Sequence, residues 1–460
     1  MNKLVITINR CYYQEKEYII SVIFGDFWEL DYDILYEEKD NRYFKIESPD
    51  SGKSLYLPSI LFATRKQEWL TKKSHPLSPL RNRLLEDLEC EHFFSTDVPV
   101  LYGEEHAISV MDDAKEIKFD IDLFGSIFFL ITLYEEINAP ETDELDRFDY
   151  RQSILFKENL IKRPIANEYL EILWQLLLKI NPRLLRKKRS YKLLVSHDID
   201  SPLANNYSVM NFFKSCLADF FYRKSLTLLL KRIYSRVFSN KSVDPHNTFD
   251  YLMETSESLG VKSEFNFIVI DGKGGIDGAY DITDPFFKSV LSSIRDRGHT
   301  IGIHPSFYTL KNKEKTASEF QKLRNICTEK KLSQTSWGGR QHYLRWKNPD
   351  TWRIWNSMGA TYDSSIGSAY FMGFRAGICY EYSVFDLLER KKLSLLEVPL
   401  IVMDVCAFKL GPFFSYEDEV VKLADVCKFF NGSFTLLFHN NYVISPGQKR
   451  DYKSLLEKIA

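Results

Sequence analysis

From residue 249 onward the chain switches repeatedly between stretches of helical and of strand character. Residues 249–259 carry apolar side chains at helical spacing, and 263–270 (SEFNFIVI) form a short apolar run. Asp284-Pro285 marks a helix start leading to about Arg297, and a strand follows at 299–304 (HTIGIH). A helix over 313–330, a strand ahead of Gly338-Gly339-Arg340, a helix over 350–358 and a strand leading into 360–365 continue the pattern, and further strands are expected at 395–399 and 433–439. One more apolar strand, Leu193-Leu194-Val195, stands in front of this series. Units of this length join parallel strands through helices, which predicts an α/β chain with a parallel sheet, closed or nearly closed. In such arrays functional side chains collect at the carboxyl ends of strands. Five strand ends here carry polar residues of catalytic type: Asp198 with Asp200, His304, Arg340 with His342, Asp363, and His439.

The first of these ends reads Ser196-His197-Asp198-Ile199-Asp200. Side chains alternate across a strand, so Asp198 and Asp200 share one face while His197 and Ile199 take the other. Two carboxylates leaving a buried strand together need a metal, a cation or hydrogen bonds to offset the loss of water. Taken alone the segment also suits a capped turn, because Ser201-Pro202 follows.

At 460 residues the chain is long enough for two or three domains. Residues 1–185 read as a smaller α/β domain. Strands are expected at 4–8, 18–24, 43–46 and 55–57, a turn at Ser48-Pro49-Asp50-Ser51-Gly52, and helices at 120–137 and 168–180. No catalytic spacing stands out in this half; His75, His92 and His106 are isolated from one another, which suits surface or core positions. The basic run Arg183 to Lys192 (RLLRKKRSYK) reads as a solvated linker, with the second domain spanning 190–460.

A net charge of −2 gives no overall basic surface for nucleic acid. The seven cysteines are scattered without a Cys-x-x-Cys pair, as expected of reduced thiols. The first residues lack the pattern of a secretory signal, and the longest apolar run, Leu123 to Tyr134, falls short of the ~20 residues of a membrane span. A soluble cytoplasmic protein is the expectation. An insert at about 205–245 stands apart. Between 211 and 241 it holds seven Lys or Arg against one acid, Asp219, interleaved with Phe and Leu. Such a segment is either a helix with a solvated basic side or a surface that lies on an anionic membrane.

The ordered set of strand ends resembles the polysaccharide deacetylase family, which includes chitin, peptidoglycan and xylan deacetylases. Ser196 to Asp200 looks like an Asp-x-Asp variant of that family's first motif, Gly298 to His304 like its second, Gly339-Arg340-Gln341-His342-Tyr343 like its third, and Phe434 to His439 like its last. The resemblance covers roughly residues 191–460. It implies a distorted barrel of about seven parallel strands, with Asp198 as general base, Asp200 and His304 as metal ligands, Arg340 steadying the base, Tyr343 lining the site and His439 as general acid. Residues 1–185 look like the N-terminal module of bacterial deacetylase-like proteins associated with surface polysaccharide synthesis. The implied reaction is hydrolysis of an acetamide or acetate ester, in which a divalent metal, zinc foremost, polarises the carbonyl and a water. A carboxylate takes the water's proton and a histidine protonates the leaving group.

One departure bears on the metal. The family's second motif places another histidine four residues after the first, and here that position is Tyr308. By strand parity His342, two residues from Arg340, faces the site and is the candidate third ligand; a water-completed or absent metal is the alternative. Asp363 and Arg375 are further substrate-binding candidates. Asp363 fits helix capping equally well, and Arg375 lies between glycines in Gly373-Phe374-Arg375-Ala376-Gly377, where it can meet a carboxylate or phosphate. Of Trp337, Trp346, Trp352 and Trp355, one can stack on a sugar, while Trp352 and Trp355 at helical spacing suit a core. The leading expectation is a metal-dependent deacetylase of an N-acetylated sugar or oligosaccharide, lipid- or nucleotide-linked. A carbohydrate-binding or scaffolding protein with a decayed metal site and an O-acetyl esterase are the other two.

Overall fold

The computed structural model describes residues 3–460 apart from 39–41, 86–92, 105–114, 140, 205–207, 271–275, 279 and 410–414. His92 and His106 lie outside the described residues. The chain starts with β1 (Leu4–Asn9), α1 (Tyr13–Ile20), β2 (Tyr32–Glu37), β3 (Tyr43–Ser48) and β4 (Lys53–Pro58). A small antiparallel pair, β5 (Arg81–Leu84) and β6 (Asp97–Val100), precedes β7 (Glu116–Lys118). The strands β1 to β4 and β7 make a mixed five-stranded sheet in the order β2-β1-β3-β4-β7, and β5 and β6 stand apart from it. The expected strand at 18–24 is instead the end of α1 and a π-helical stretch, Ser21–Phe27. Tyr18, Ile19, Ile20, Val22, Ile23 and Phe24 are all buried. A short run that is apolar on every side reads alike as a buried helix or a buried strand, and periodicity does not separate them.

The apolar run at 123–131 forms α2 (Leu123–Ile131), every residue of which is buried. Asp122 caps it, accepting from the Gly125 amide at 2.7 Å and from the Leu61 amide at 2.9 Å. Then come α3 (Ile154–Lys157) and α4 (Ile165–Ile180). The basic run after α4 is pinned by acids: Arg186 pairs with Glu171, Lys187 with Glu29 and Arg189 with Glu381, at 2.8, 2.6 and 3.0 Å.

The second half begins with β8 (Lys192–Ile199), followed by the helices α5 (Val209–Phe221) and α6 (Leu226–Phe238) and then by α7 (Phe249–Ser258) and β9 (Glu264–Phe267). It continues through α8 (Pro285–Asp296), β10 (Thr300–Ile303), α9 (Lys313–Glu329), α10 (Asp350–Ser357) and β11 (Tyr362–Asp363). The last elements are β12 (Tyr382–Asp386), β13 (Lys391–Glu397), β14 (Val402–Met403), α11 (Tyr416–Phe429), β15 (Ser433–Leu437) and α12 (Pro446–Ile459). Five strands form a wholly parallel sheet in the order β10-β9-β8-β15-β14. Helices cover such a sheet, so its strands read as continuous apolar runs.

Among the described residues the strands do not close into the expected seven-stranded barrel. Past β10 the sheet is continued by a single bridge, Ile303 to Gly339, and by the Ser364 amide donating to the Gly339 carbonyl at 2.9 Å. Beyond it lies a separate three-stranded sheet, β11-β13-β12, whose last strand is antiparallel. The break has a local cause. Gly338-Gly339 offers no side chains to pack, and glycine interrupts a strand ladder. Gly339 adopts φ +150° and passes so close to Ile303 that a Cβ would overlap the Ile303 carbonyl oxygen.

The two halves share one contiguous apolar core. Polar contacts cross between them as well: Asn348 Nδ2 donates to the carbonyls of Thr132 and Leu133 at 2.8 and 2.9 Å, and the Tyr18 hydroxyl to the Ser383 carbonyl at 2.7 Å. Arg390 forks onto Glu15 at 2.6 and 2.8 Å. No helix among the described residues is long and apolar enough to cross a membrane.

Gly339 therefore sets how closely the Arg340 segment approaches β10. Gly339→Ala is expected to lower stability by about 2–4 kcal/mol through overlap and backbone strain, read as a fall in the urea midpoint at unchanged slope.

Candidate active site

Asp198 is the penultimate residue of β8, and its carboxylate is held through one oxygen. Oδ1 accepts from Arg340 Nη1 at 2.9 Å and from Asn266 Nδ2, on β9, at 2.9 Å. Arg340 is locked in turn: Nη1 also reaches Ser196 Oγ at 3.0 Å, Nε the Ser364 carbonyl at 2.8 Å and Nη2 Ser364 Oγ at 2.9 Å. Both side chains are buried. A buried charge pair is tolerated where the geometry is good and the remaining donors are satisfied, as here. Burial alone would push the Asp198 carboxyl upward; Arg340, His304 and His439 outweigh it and hold the group below its ordinary range.

Asp200 is the centre of a second cluster. His304 Nε2 stands 3.2 Å and His342 Nε2 3.6 Å from its Oδ1, and His439 Nε2 stands 3.5 Å from its Oδ2. Each imidazole is oriented from behind. His304 Nδ1 donates to the Arg340 carbonyl at 2.7 Å, His342 Nδ1 to Asp277 Oδ1 at 2.9 Å and His439 Nδ1 to Asp404 Oδ1 at 2.8 Å. Asp277 also accepts from the Phe307 amide at 2.6 Å, and Asp404 Oδ2 from the His439 amide at 2.7 Å. With Nδ1 engaged, every Nε2 is directed at Asp200.

Asp200, His304 and His342 each offer a ligand atom, all within 4.8 Å of one another, and so can hold a metal ion. Asp200 Oδ1 is buried yet accepts no hydrogen bond, an acceptor turned toward the two imidazoles. Backing of each histidine by a carboxylate or carbonyl is the arrangement found behind metal-ligating imidazoles. The residues present thus fit a divalent cation. The carboxylates also give the site a negative potential, which favours a positive charge there, proton or cation. Burial opposes charge on His342, but Asp200 and Asp277 overcome it and raise the imidazole to about 9. Burial would likewise raise Asp200, but His342 and His304 hold it well below the carboxylate range. Tyr308 does not join this group; it is exposed on a turn beyond His304, with Lys315 over its ring.

The cluster lies at the bottom of a cavity of about 390 Å³. Arg147, Tyr343, Tyr370, Met403, Val405 and Tyr442 make up most of the remaining wall. Arg147 comes from the first half of the chain, where no site residue is legible. It pairs with Asp143 and donates to the Tyr343 carbonyl at 2.7 Å and the Tyr370 hydroxyl at 3.0 Å. Tyr343 has φ +60°, so the parity that carries His342 inward applies to a tight turn rather than to a strand.

Two candidates stand elsewhere. Arg375 is forked onto Glu136 at 3.0 and 2.7 Å and donates to the Gly367 carbonyl, which occupies its guanidinium outside the cavity. Asp363 is wholly buried behind Arg340, where it accepts from the amide and hydroxyl of Ser365. Burial raises the Asp363 carboxyl to about 7, and burial together with the Asp363 charge raises the neighbouring Glu397 well above its ordinary range. Trp346, Trp352 and Trp355 are core residues. His75 packs on Phe129 and Tyr134, and His197 and His299 are buried away from the cavity. Asp277, Asp404 and Asn266 were not legible as partners. Asn266 does leave a trace, an amide in the middle of the apolar run 263–270, and Gly302 opposite it is the only residue type that leaves room for its Oδ1.

Metal analysis after dialysis and calorimetric titration test the group. His342→Ala is expected to lose stoichiometric retention, and Asp277→Asn to weaken divalent-metal affinity about 10–100-fold. Equal retention in wild type and His342→Ala would remove His342 from the ligand set.

A family of unknown function (DUF7033) matches residues 4–182 of the chain. No curated protein matches it. Among solved structures, a polysaccharide deacetylase from Mycobacterium smegmatis, titled as putative in that structure, is 15 % identical at a TM-score of 0.36, over 59 % of this chain and 85 % of its own. The allantoinase Puue is 12 % identical at a TM-score of 0.35, over 58 % and 84 %, and a 4-alpha-glucanotransferase from Thermococcus litoralis is 14 % identical at 0.32, over 58 % and 36 %.

Proposed function

We propose that this cavity hydrolyses the acetamide of an N-acetylated sugar. The observation that carries the reading is the placing of two opposite proton-transfer groups on either side of one metal-binding group. Asp198, kept ionised by Arg340, meets that group through His304, with Asp198 Oδ2 3.8 Å from His304 Nε2. His439, kept protonated by Asp404, meets it through Asp200. Burial disfavours the charged imidazole, yet Asp404, Asp200 and Asp198 raise it to about 10, so at neutral pH His439 carries the proton that a general acid needs.

The chain's own groups then divide the work. Asp198 Oδ2 accepts a proton as a water oxygen bonds to the acetyl carbon. His439 Nε2 delivers its proton to the departing sugar nitrogen as the carbon–nitrogen bond breaks. Acetate and the free amine are the products. Arg340 keeps Asp198 both ionised and aimed through Oδ1, and Asn266 bonds Oδ1 as well, which leaves Oδ2 for the proton. A divalent cation on Asp200, His304 and His342, zinc by its taste for mixed imidazole and carboxylate donors, would supply Lewis acidity toward the carbonyl and the water.

The cavity is at the small end of the range for small-molecule sites, which suits a single sugar unit. Tyr343, Tyr370 and Tyr442 offer faces and hydroxyls for a sugar ring, and Arg147 a cation beside them. The motif resemblance to polysaccharide deacetylases supports the same substrate class and a place in surface polysaccharide metabolism.

Acetate release from a panel of N- and O-acetylated sugars, with zinc or cobalt added, tests the reading. N-acetylated substrates are expected to react, and Asp198→Asn and His439→Ala each to slow turnover about 10²–10⁴-fold while retaining metal. Release from O-acetyl esters alone would replace the amidase by an esterase. No acetate from any metal-loaded mixture, with sugar binding intact in Asp198→Asn, would replace it by a binding protein.

A further inference from the structure

The helices α5 and α6 form an antiparallel hairpin whose polarity is reversed. In a hairpin built for water the apolar stripes face each other and the charges face out. Here the contact between the helices is ionic. Asp219 is 0 % and Arg232 1 % exposed, with Arg232 Nε donating to Asp219 Oδ2 at 2.6 Å and Arg223 Nη1 to Oδ1 at 2.6 Å. The apolar stripes look outward. On α5, Phe213, Leu217, Phe220 and Phe221 recur at helical spacing and are all exposed, Phe221 at 63 %. On α6, Leu226, Leu230, Ile233 and Val237 do the same, Leu230 at 65 %. Tyr222, at the tip, is 88 % exposed. Clustered exposure of large apolar side chains on this scale marks a contact surface.

The charge around that surface identifies what it meets. Within 208–241 the sole acid is the buried Asp219, while Lys214, Lys224 and Lys231 are exposed among the apolar residues. Lys241, at the base, pairs with Asp284. A surface of phenylalanine and leucine edged with lysine and tyrosine, free of exposed acid, matches the layered chemistry of an anionic bilayer: hydrocarbon, then interface, then phosphate. We infer that the α5–α6 hairpin docks this protein on an anionic lipid membrane, with its apolar stripes in the acyl–headgroup boundary and its lysines among the phosphates.

The hairpin's two ends are anchored beside the cavity. The Ser201 carbonyl accepts from His246 Nδ1 at 3.1 Å and from Asn440 Nδ2 at 3.2 Å, and Asn440 Nδ2 also donates to the His246 carbonyl at 3.0 Å. Ser201 follows Asp200 and Asn440 follows His439, so the hairpin is tied to the two segments that carry these cavity residues. The docking itself does not depend on the chemistry proposed for the cavity.

Co-sedimentation of the full chain with phosphatidylcholine vesicles, with and without phosphatidylglycerol, tests this at low and high salt. The wild type is expected to pellet with the anionic vesicles at low salt and to be released by high salt. The triple variant Lys214→Gln/Lys224→Gln/Lys231→Gln is expected to lose about fivefold per lysine, on the order of a hundredfold in partitioning. A second variant, Leu217→Ser/Phe220→Ser/Phe221→Ser, is expected to stay in the supernatant even at low salt. Both variants are expected to keep the wild-type melting temperature, because the altered side chains face outward. Absence of wild-type binding to anionic vesicles at low salt would overturn the inference, as would binding indifferent to the apolar substitutions. A lipid-free dimer by light scattering that the apolar variant turns into a monomer would overturn it too, assigning the face to a second copy of the chain. None of these readouts requires acetate release, so failure here and failure of the hydrolase reading are separable.

Discussion

Arg340 sits where the strand ends converge, and the geometry of the cavity follows from how it is held. Its guanidinium ties β8 through Ser196 and Asp198 to the segment after β11 through Ser364. Its own carbonyl sets the ring of His304. One residue thereby fixes the ionisation of the carboxylate beside it and the tautomer of the imidazole behind it. Such a pair is expensive to bury, and removing one member of a buried pair typically costs 3–5 kcal/mol because the other is left uncompensated. The arrangement persists because every nitrogen of the guanidinium donates a hydrogen bond. It also explains why the sheet need not close here. Side-chain hydrogen bonds from Arg340 join β8 to the segment after β11, and single backbone bonds join β10, Gly339 and Ser364, at a point where regular strand pairing stops.

Three imidazoles share one design with two kinds of backing. A carbonyl holds His304, and carboxylates hold His342 and His439. The difference is electrostatic. A carbonyl orients a ring, whereas a carboxylate also raises its affinity for a proton or a cation. Asp277 sits in a turn and Asp404 opens a 3-10 helix directly after β14, so the charge that tunes the site comes from just outside the strands while strands supply its position.

The parts of this site legible in the sequence are those that regular structure delivers. Asp198, Asp200, His304 and His439 follow strand ends, and alternation along β8 brings the first two to one side, whereas Arg340 and His342 come from the Gly339 bridge and the turn after it. The helices 249–258, 285–296, 313–329 and 350–357 lie close to where periodicity puts them. What does not follow from pattern is what depends on distance in the chain. Asp277 reaches His342 from a turn, Asp404 reaches His439 from the end of the neighbouring strand β14, and Arg147 meets Tyr343 across nearly two hundred residues. Arg375 reads as a free cation from its glycine neighbours because Glu136, its actual partner, is equally remote. The strand expected at 18–24 fails for a related reason, since burial on all sides erases the periodicity that distinguishes helix from strand. The seven-stranded ring fails at Gly338-Gly339, where the backbone is used for proximity instead of pairing.

Arg147 has a consequence for how this protein is divided. A cut between the halves would run through the cavity's upper wall. The second half holds the carboxylates and imidazoles, but Tyr343 and Tyr370 are braced by a guanidinium from the first. The floor of the cavity is thus local to one stretch of chain, while its mouth is a joint possession. Changes in the first half can accordingly retune which molecules are admitted without touching the residues that would act on them, and selectivity and reactivity can drift independently in sequences built on this plan.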